Sequence, residues 1–259
     1  MGDLFNLTGR VALVTGASRG LGQYFGRALA RAGADLIITS RDRSRLGEFQ
    51  EEIEGLGRKA LPLKLDVLNE KDIEQMVADG IAEYGRIDIL VNNAGLNIRR
   101  PAAEMAWKDW DTVLDTNLKG SFFVAQAVGR EMIKRNYGRI INIGSCTCVF
   151  GMEGIGPYCA SRSGTLGMTR SLAAEWGQHG ITVNVLAPGW FKTAQNQVLY
   201  ENEPWVKYIT DRIPLGRPGK PNDLDGTVVF LASDASAYVT GQIILVDGGF
   251  TTGATKAIV

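Results

Sequence analysis

The stretch "VTGASRGLG", Val14 to Gly22, decides the fold. It is entered from a run of strand formers, "RVALV", and left through "LGQYFGRALARAG", whose apolar residues recur at helical spacing before a closing glycine. Gly16, Gly20 and Gly22 let the backbone turn sharply between the two and come close to whatever lies against it. The unpaired N–H groups and positive dipole end of the new helix face the same point. Strand, glycine-rich turn and helix in this order predict a dinucleotide with its pyrophosphate against Gly16, Gly20 and Gly22, and Ser18, Arg19 and Leu21 of the same turn are cofactor-binding candidates with them.

The rest of the chain repeats that unit. The runs "ADLIITS", "ALPLKLDV", "IDILVNNAG", "RIINIGS", "ITVNVLAP" and "QIILVDGG" are dense in Val, Ile and Leu and alternate only weakly with polar residues, which reads as fully buried parallel strands. Helical stretches such as "KDIEQMVADGIAEYG" and "WDTVLDTNLKGSFFVAQAVGREMI" lie between them. With right-handed crossovers these steps predict an α/β fold, a doubly wound parallel seven-stranded sheet with helices on both faces. A (β/α)8 barrel would need an eighth unit and gives no reason for the first glycine turn. At 259 residues and 45% hydrophobic content the chain can bury one large core. No Pro/Ser-rich or low-complexity segment divides it, so residues 1–259 are read as a single domain.

Twenty-eight basic and 28 acidic residues cancel, which offers neither a basic surface for nucleic acid nor an acidic tail. The start "MGDLFNLTGR" has no apolar signal core, and no run approaches the roughly 18 apolar residues that span a bilayer. A cytoplasmic protein without membrane or nucleic-acid partners is expected. Cys146, Cys148 and Cys159 are an odd number and give no disulfide framework; no histidine cluster accompanies them, so no metal site is expected. His179 stands alone and is read as structural.

Which dinucleotide binds depends on the end of the second strand, "LIITSRDRSR". An acid there would bond the ribose 2′-OH of NAD, whereas Ser40 and Arg41, with Arg19 in the glycine turn, offer donors to the 2′-phosphate of NADP. NADP(H) is favoured over NAD(H), with Asp42 the residue that argues the other way.

Together, "TGASRGLG", "LDV" (Leu65 to Val67), "NNAG" (Asn92 to Gly95), "TNLKG" with Asn117, "IGS" ending in Ser145, Tyr158, "APGWFKT" (Ala187 to Thr193) and "VDGG" resemble the short-chain dehydrogenase/reductase family along essentially the whole chain. The resemblance implies a single-domain Rossmann fold, a nicotinamide cofactor, hydride transfer to or from a carbonyl or alcohol, and a homotetramer. It implies that Asp66 and Val67 face the adenine. Asn92 and the following Asn93, Ala94 and Gly95 would line the cofactor cleft, with Pro188, Gly189 and Thr193 orienting the nicotinamide. Asn117, Ser145 and Tyr158 would be catalytic: Asn117 holds a relay water, while Ser145 and Tyr158 meet the substrate oxygen.

In that family a lysine four residues after the tyrosine bonds the nicotinamide ribose and relays protons. Here "GPYCASRSG" puts Arg162 in its place, as the fourth catalytic residue and a cofactor ligand. Positions four apart share a helix face, so Arg162 stays beside Tyr158. A guanidinium keeps the charge that favours a phenolate but does not give up a proton. Electrostatic help is expected to survive and relay through the side chain is not.

Within the family, "GDLFNLTGR", "NAGLNIRRPAAE" and the segment from Arg212 to "VDGG" look like gluconate 5-dehydrogenases and ketodeoxygluconate reductases, implying a sugar-acid substrate. Arg99, Ser145, Cys146, Tyr158 and Trp190 are the substrate candidates, with Trp190, Phe191 and an aromatic segment at about 193–213 (Tyr200, Trp205, Tyr208) as a flap. A 3-oxoacyl carrier protein reductase or broad ketone reductase is the second reading. A cofactor-binding protein impaired by Arg162 is the third.

Overall fold

The computed structural model describes residues 3–193 and 196–253. Seven parallel strands form one sheet in the order β3-β2-β1-β4-β5-β6-β7: β1 Val11–Val14, β2 Asp35–Ser40, β3 Ala60–Lys64, β4 Ile89–Asn92, β5 Gly138–Ile143, β6 Ile181–Pro188 and β7 Ile243–Val246. Residues of β1, β4, β5 and β6 are buried throughout, as expected of strands covered on both faces.

Alternate side chains feed two separate cores. Ala12, Val14, Leu36, Ile38, Val91 and Ile143 meet α1 (Leu21–Arg31), α2 (Gly47–Gly55) and α9 (Asp225–Ala232) on one face. Val11, Leu13, Ile37, Leu90, Ile140 and Val183 meet α3 (Glu70–Tyr84), α5 (Gly120–Arg135) and α6 (Gly156–Trp176) on the other. Close approach is made possible by small residues: a Cβ on Gly129 of α5 would lie 2.8 Å from the Trp176 ring of α6.

The stretch from Trp110 to Ile133, read as one helix, is helical throughout but not uniform: α4 (Trp107–Leu114) passes through a π-helical turn, Asp115–Lys119, before α5. The extra residue in that turn re-aims Asn117 without ending the helix. Two short helices, α7 (Gln197–Tyr200) and α8 (Glu203–Thr210), occupy the predicted flap, whose Gln195 lies outside the described residues. Strand order reverses between β1 and β4, and a crevice at such a switch point, outside the carboxyl ends of the strands, is where doubly wound sheets bind ligands.

Candidate active site

The glycine turn is built to leave room. Gly16 and Gly20 have φ of 66° and 61°, a region other residues adopt at a cost. Gly22, the second residue of α1, has no space for a side chain, since a Cβ would meet the Gly16 carbonyl and lie 2.8 Å from Asn93 Nδ2. No side chain caps α1 and its first turn carries no acid, so its N-terminal amides and dipole are left for an anion. These features fit a dinucleotide pyrophosphate. Gly22→Ala is expected to weaken binding of a reduced nicotinamide dinucleotide at least about tenfold, the overpacking costing about 1–3 kcal/mol; titration of the dinucleotide's fluorescence measures it, and an unchanged Kd would count against the turn as the anion seat.

Neighbouring segments close round the turn. The Ala17 amide donates to Thr39 O at 2.8 Å and the Leu65 amide to Ser40 O at 2.8 Å, which sets Ser18 and Arg19, Ser40 and Arg41, and Asp66 and Val67 side by side at the strand ends. Asp66 accepts the Leu68 amide at 3.0 Å and so shapes its own loop. Arg19 and Arg41 make no ion pair among the described residues, and Arg41 is exposed. Ser40, by contrast, donates its hydroxyl to Asp42 O at 2.5 Å and accepts the Asp42 amide, so its proton is spent within the turn. Asp42 is also occupied: its carboxylate accepts the Ser44 hydroxyl at 2.6 Å and amide at 3.0 Å, bonds that lower its pKa.

On the other side of the switch point Thr15, to which the motif gave no role, organises the cleft. Its Oγ1 accepts the amides of Asn93 at 2.9 Å and Ala94 at 3.0 Å, while Asn93 Nδ2 donates to Thr15 O and Gly16 O. The expected cleft-lining Asn92 instead turns into the interior, 2% exposed, where Nδ2 donates to Ser121 O and Asn142 Oδ1. That inward direction follows from strand alternation, since neighbours on β4 face opposite ways. Gly189, after β6, has its amide on Val246 O. Thr193, whose Oγ1 and amide both donate to Asn196 Oδ1, lies across from Gly20 with its Cβ 3.9 Å from the place a Gly20 Cβ would take.

Beyond this, Arg162 lies between the Tyr158 ring and Gly95, with Asn117 also at Gly95, and Ser145 heads the turn whose Cys148 thiol bonds the Arg162 carbonyl. Ser145 follows β5 and caps a short 3-10 turn, Cys146–Cys148, by accepting the Thr147 amide at 3.2 Å. Tyr158 sits half-buried in the first turn of α6, with the Arg162 guanidinium carbon 5.0 Å from its ring centroid. Arg162 is 5% exposed and its Nη1 donates to Ile143 O at 2.7 Å, so one arm of the fork is anchored on the end of β5. The other arm reaches Gly95: a Cβ there would lie 2.6 Å from Nη2. Asn117 is fully buried and fully used as a donor, Nδ2 bonding Leu96 O at 2.9 Å and Ser161 Oγ at 3.1 Å, while Oδ1 accepts the Leu96 amide at 2.8 Å. Its side chain therefore staples the loop after β4 to α6, and no N–H of that side chain is left for a relay water.

The substrate and flap candidates fall in different surroundings. Cys146 is buried, which pushes its thiol up to about 12 and keeps it a neutral SH rather than a nucleophile. Arg99 is exposed and makes no ion pair among the described residues, whereas Arg100 pairs with Asp109 at 3.1 Å. Phe191 is not a flap residue: it is buried in the core, with Gly219 kept bare beneath its ring. Tyr208 faces solvent under Arg212, whose guanidinium carbon is 3.7 Å from the ring centroid. Trp190, Tyr200 and Trp205 do meet, joined by Phe250 from the turn after β7. His179 precedes β6, at the end of the sheet away from this site. No group of metal-ligating side chains occurs among the described residues, and no described helix is long and apolar enough to cross a membrane.

Residues 16–251 match the family model described as enoyl-(acyl carrier protein) reductase. The chain is 42% identical to a gluconate 5-dehydrogenase of Gluconobacter oxydans, covering 96% of this chain and 97% of that enzyme. It is 45% identical to a 2-dehydro-3-deoxy-D-gluconate 5-dehydrogenase of Escherichia coli over 95% and 97% of the two chains. The crystal structure of a gluconate 5-dehydrogenase from Burkholderia cenocepacia, in complex with NADP and tartrate, superimposes with a TM-score of 0.94 at 38% identity, covering 97% of this chain and 99% of that one.

Proposed function

The chain belongs to the short-chain dehydrogenase/reductase family, and from that premise we propose that it is an NADP(H)-dependent oxidoreductase that interconverts a hydroxyl and a ketone on a sugar acid, gluconate and 5-ketogluconate being the pair that best fits. The observation that carries the reading is a buried Arg162, anchored on Ile143 O at the end of β5 and set beside the Tyr158 ring, in a fold whose first turn is shaped for a pyrophosphate. The names of the relatives and the tartrate held by one of them support a hydroxylated carboxylic acid as substrate.

A nicotinamide cofactor bound along the turn supplies or takes the hydride. As negative charge grows on the substrate oxygen, the Ser145 hydroxyl donates to it and Tyr158 gives it a proton. Arg162 holds a fixed positive charge beside the tyrosine ring and favours the phenolate left behind. A guanidinium does not carry the proton onward, so water reaching Tyr158 must do so.

Two guanidinium groups without an ion pair among the described residues, and an Asp42 carboxylate already bonded by Ser44, support NADP(H) over NAD(H). Arg41→Glu is expected to raise the KM for NADPH by about 10- to 100-fold, a charge-assisted bond being worth about 1.5–3 kcal/mol, and to leave the KM for NADH unchanged or lower. Equal effects on both cofactors would remove Arg41 from phosphate recognition.

The reading includes a homotetramer in the cytoplasm; exposed Phe123 of α5 and a shallow apolar hollow between α5 and α6, lined by Leu118, Phe122 and Met168, support pairing of these helices between copies. Because a further relative, 41% identical, is a 3-oxoacyl-[acyl-carrier-protein] reductase of Thermotoga maritima, a 3-oxoacyl carrier-protein substrate is the reading to test against. Turnover of an acetoacetyl thioester but not of 5-ketogluconate would favour it.

A further inference from the structure

Buried side-chain polar atoms without a hydrogen-bond partner among the described residues include Asn97 Oδ1, Thr147 Oγ1, Arg162 Nε, Thr182 Oγ1, Trp190 Nε1 and Tyr200 Oη. All but Thr182 lie in segments that follow the carboxyl ends of β4, β5 and β6. Two of them, Trp190 Nε1 and Tyr200 Oη, belong to one aromatic wall. It starts in the loop of Ser145: Phe150 packs on Phe250 with centroids 5.2 Å apart, Phe250 on Trp190 at 5.6 Å, Trp190 on Trp205 at 5.2 Å and Trp205 on Tyr200 at 5.5 Å. The wall thus runs from the expected site of carbonyl chemistry to the flap helices α7 and α8.

An N–H and an O–H kept dry inside an aromatic cluster are costly unless something bonds them. Phenylalanine at position 200 would fill the same space without that cost. Burial pushes the Tyr200 phenol up to about 12, so it remains an O–H donor at any physiological pH. Aromatic faces suit the C–H side of a carbon chain, and two donors set among them suit oxygens on that chain.

We propose that Trp190 Nε1 and Tyr200 Oη are specificity-determining donors that bind hydroxyl groups along the carbon chain of the substrate, on the side remote from the carbon held at Ser145 and Tyr158. The proposal rests on the hydroxy-acid reading above and extends it to Tyr200, which no motif marks. A ketone lacking those hydroxyls lies on the same rings and leaves both donors unpaired, which is how a buried polar site rejects an analogue.

Trp190→Phe and Tyr200→Phe remove the donors and keep rings. Calorimetric titration of the NADP+ complex with gluconate is expected to give a Kd about tenfold higher for each variant, the loss of about 1.4 kcal/mol. The ratio of kcat/KM for 5-ketogluconate to that for 4-oxopentanoate, a keto acid without hydroxyls, is expected to fall about tenfold. An unchanged ratio, an unchanged gluconate Kd in both variants, or failure of the wild-type protein to bind gluconate overturns the proposal. Gluconate binding that weakens in both variants while wild-type protein turns over no sugar acid would instead reject the assigned reaction and leave the donor pair standing.

Discussion

Tyr158→Phe is expected to lower kcat/KM for carbonyl reduction by about 10³-fold, within the 10²–10⁴ range of a positioned proton donor, while NADPH binding and thermal stability change little. Removing one hydroxyl takes away the proton that neutralises the growing alkoxide and leaves the ring, half-buried in the first turn of α6, where it was. Ser145 and the charge of Arg162 remain, so the residue of activity measures what electrostatics alone supplies. Stopped-flow reduction followed at the nicotinamide absorbance separates the hydride step from release. A loss smaller than about fivefold would show that the proton comes from elsewhere; His179, at the far end of the sheet, is too remote to serve.

The second large effect is at Arg162. Arg162→Met removes the buried cation, strips Ile143 O of its 2.7 Å donor and empties the space against Gly95. We expect kcat to fall by about 10²-fold, comparable to loss of one oriented electrostatic partner, and unfolding stability to fall by about 1–3 kcal/mol for the carbonyl left unpaired. Arg162→Lys separates the two roles of this position. An ammonium keeps the charge and can exchange a proton, but lacks the fork that spans Ile143 O and Gly95. Its pH profile of kcat is expected to differ from that of the wild-type protein even where the rates are similar. Identical rates and profiles for arginine and lysine would mean that the anchored fork is irrelevant to turnover.

The sheet, the turns and the side-chain contacts differ in how far the chain itself announces them. Seven apolar runs with little polar alternation, each followed by a helix or a capped turn, are enough to imply a parallel sheet covered on both faces, because only burial on both sides permits such runs. Gly16, Gly20 and Gly22 were legible for the same kind of reason: the turn tolerates no side chains, and the clash a Cβ on Gly22 would make with the Gly16 carbonyl is local to the turn. What the chain hides depends on register and on distant partners. The π turn at Asp115–Lys119 is a one-residue excess that helical periodicity cannot register, and it directs Asn117 between Leu96 and Ser161. Ser40 carries a phosphate-binding side chain by type, yet its proton is taken by Asp42 O two residues on. Asn92 falls on the inward phase of β4, one residue from the Asn93 that does face the glycine turn. The aromatic wall gathers Phe150, Trp190, Tyr200, Trp205 and Phe250 from beyond the ends of three strands, so no window of sequence contains it.

Arg162 shows the limit in another form. Its place four residues after Tyr158 predicts a shared helix face, and the guanidinium does lie near the tyrosine ring. That one arm would be fixed to the carbonyl of Ile143, and that Gly95 would be the residue left bare to admit the other, follows only from the packing of β5 and the loop after β4 against α6.

The most direct test is steady-state oxidation of NADPH with 5-ketogluconate as acceptor, run beside NADH and beside the Tyr158→Phe protein. The account predicts turnover with NADPH, a kcat/KM at least about tenfold lower with NADH, and near-complete loss in the variant. Tight NADPH binding with no reduction of 5-ketogluconate or any other keto acid would contradict it.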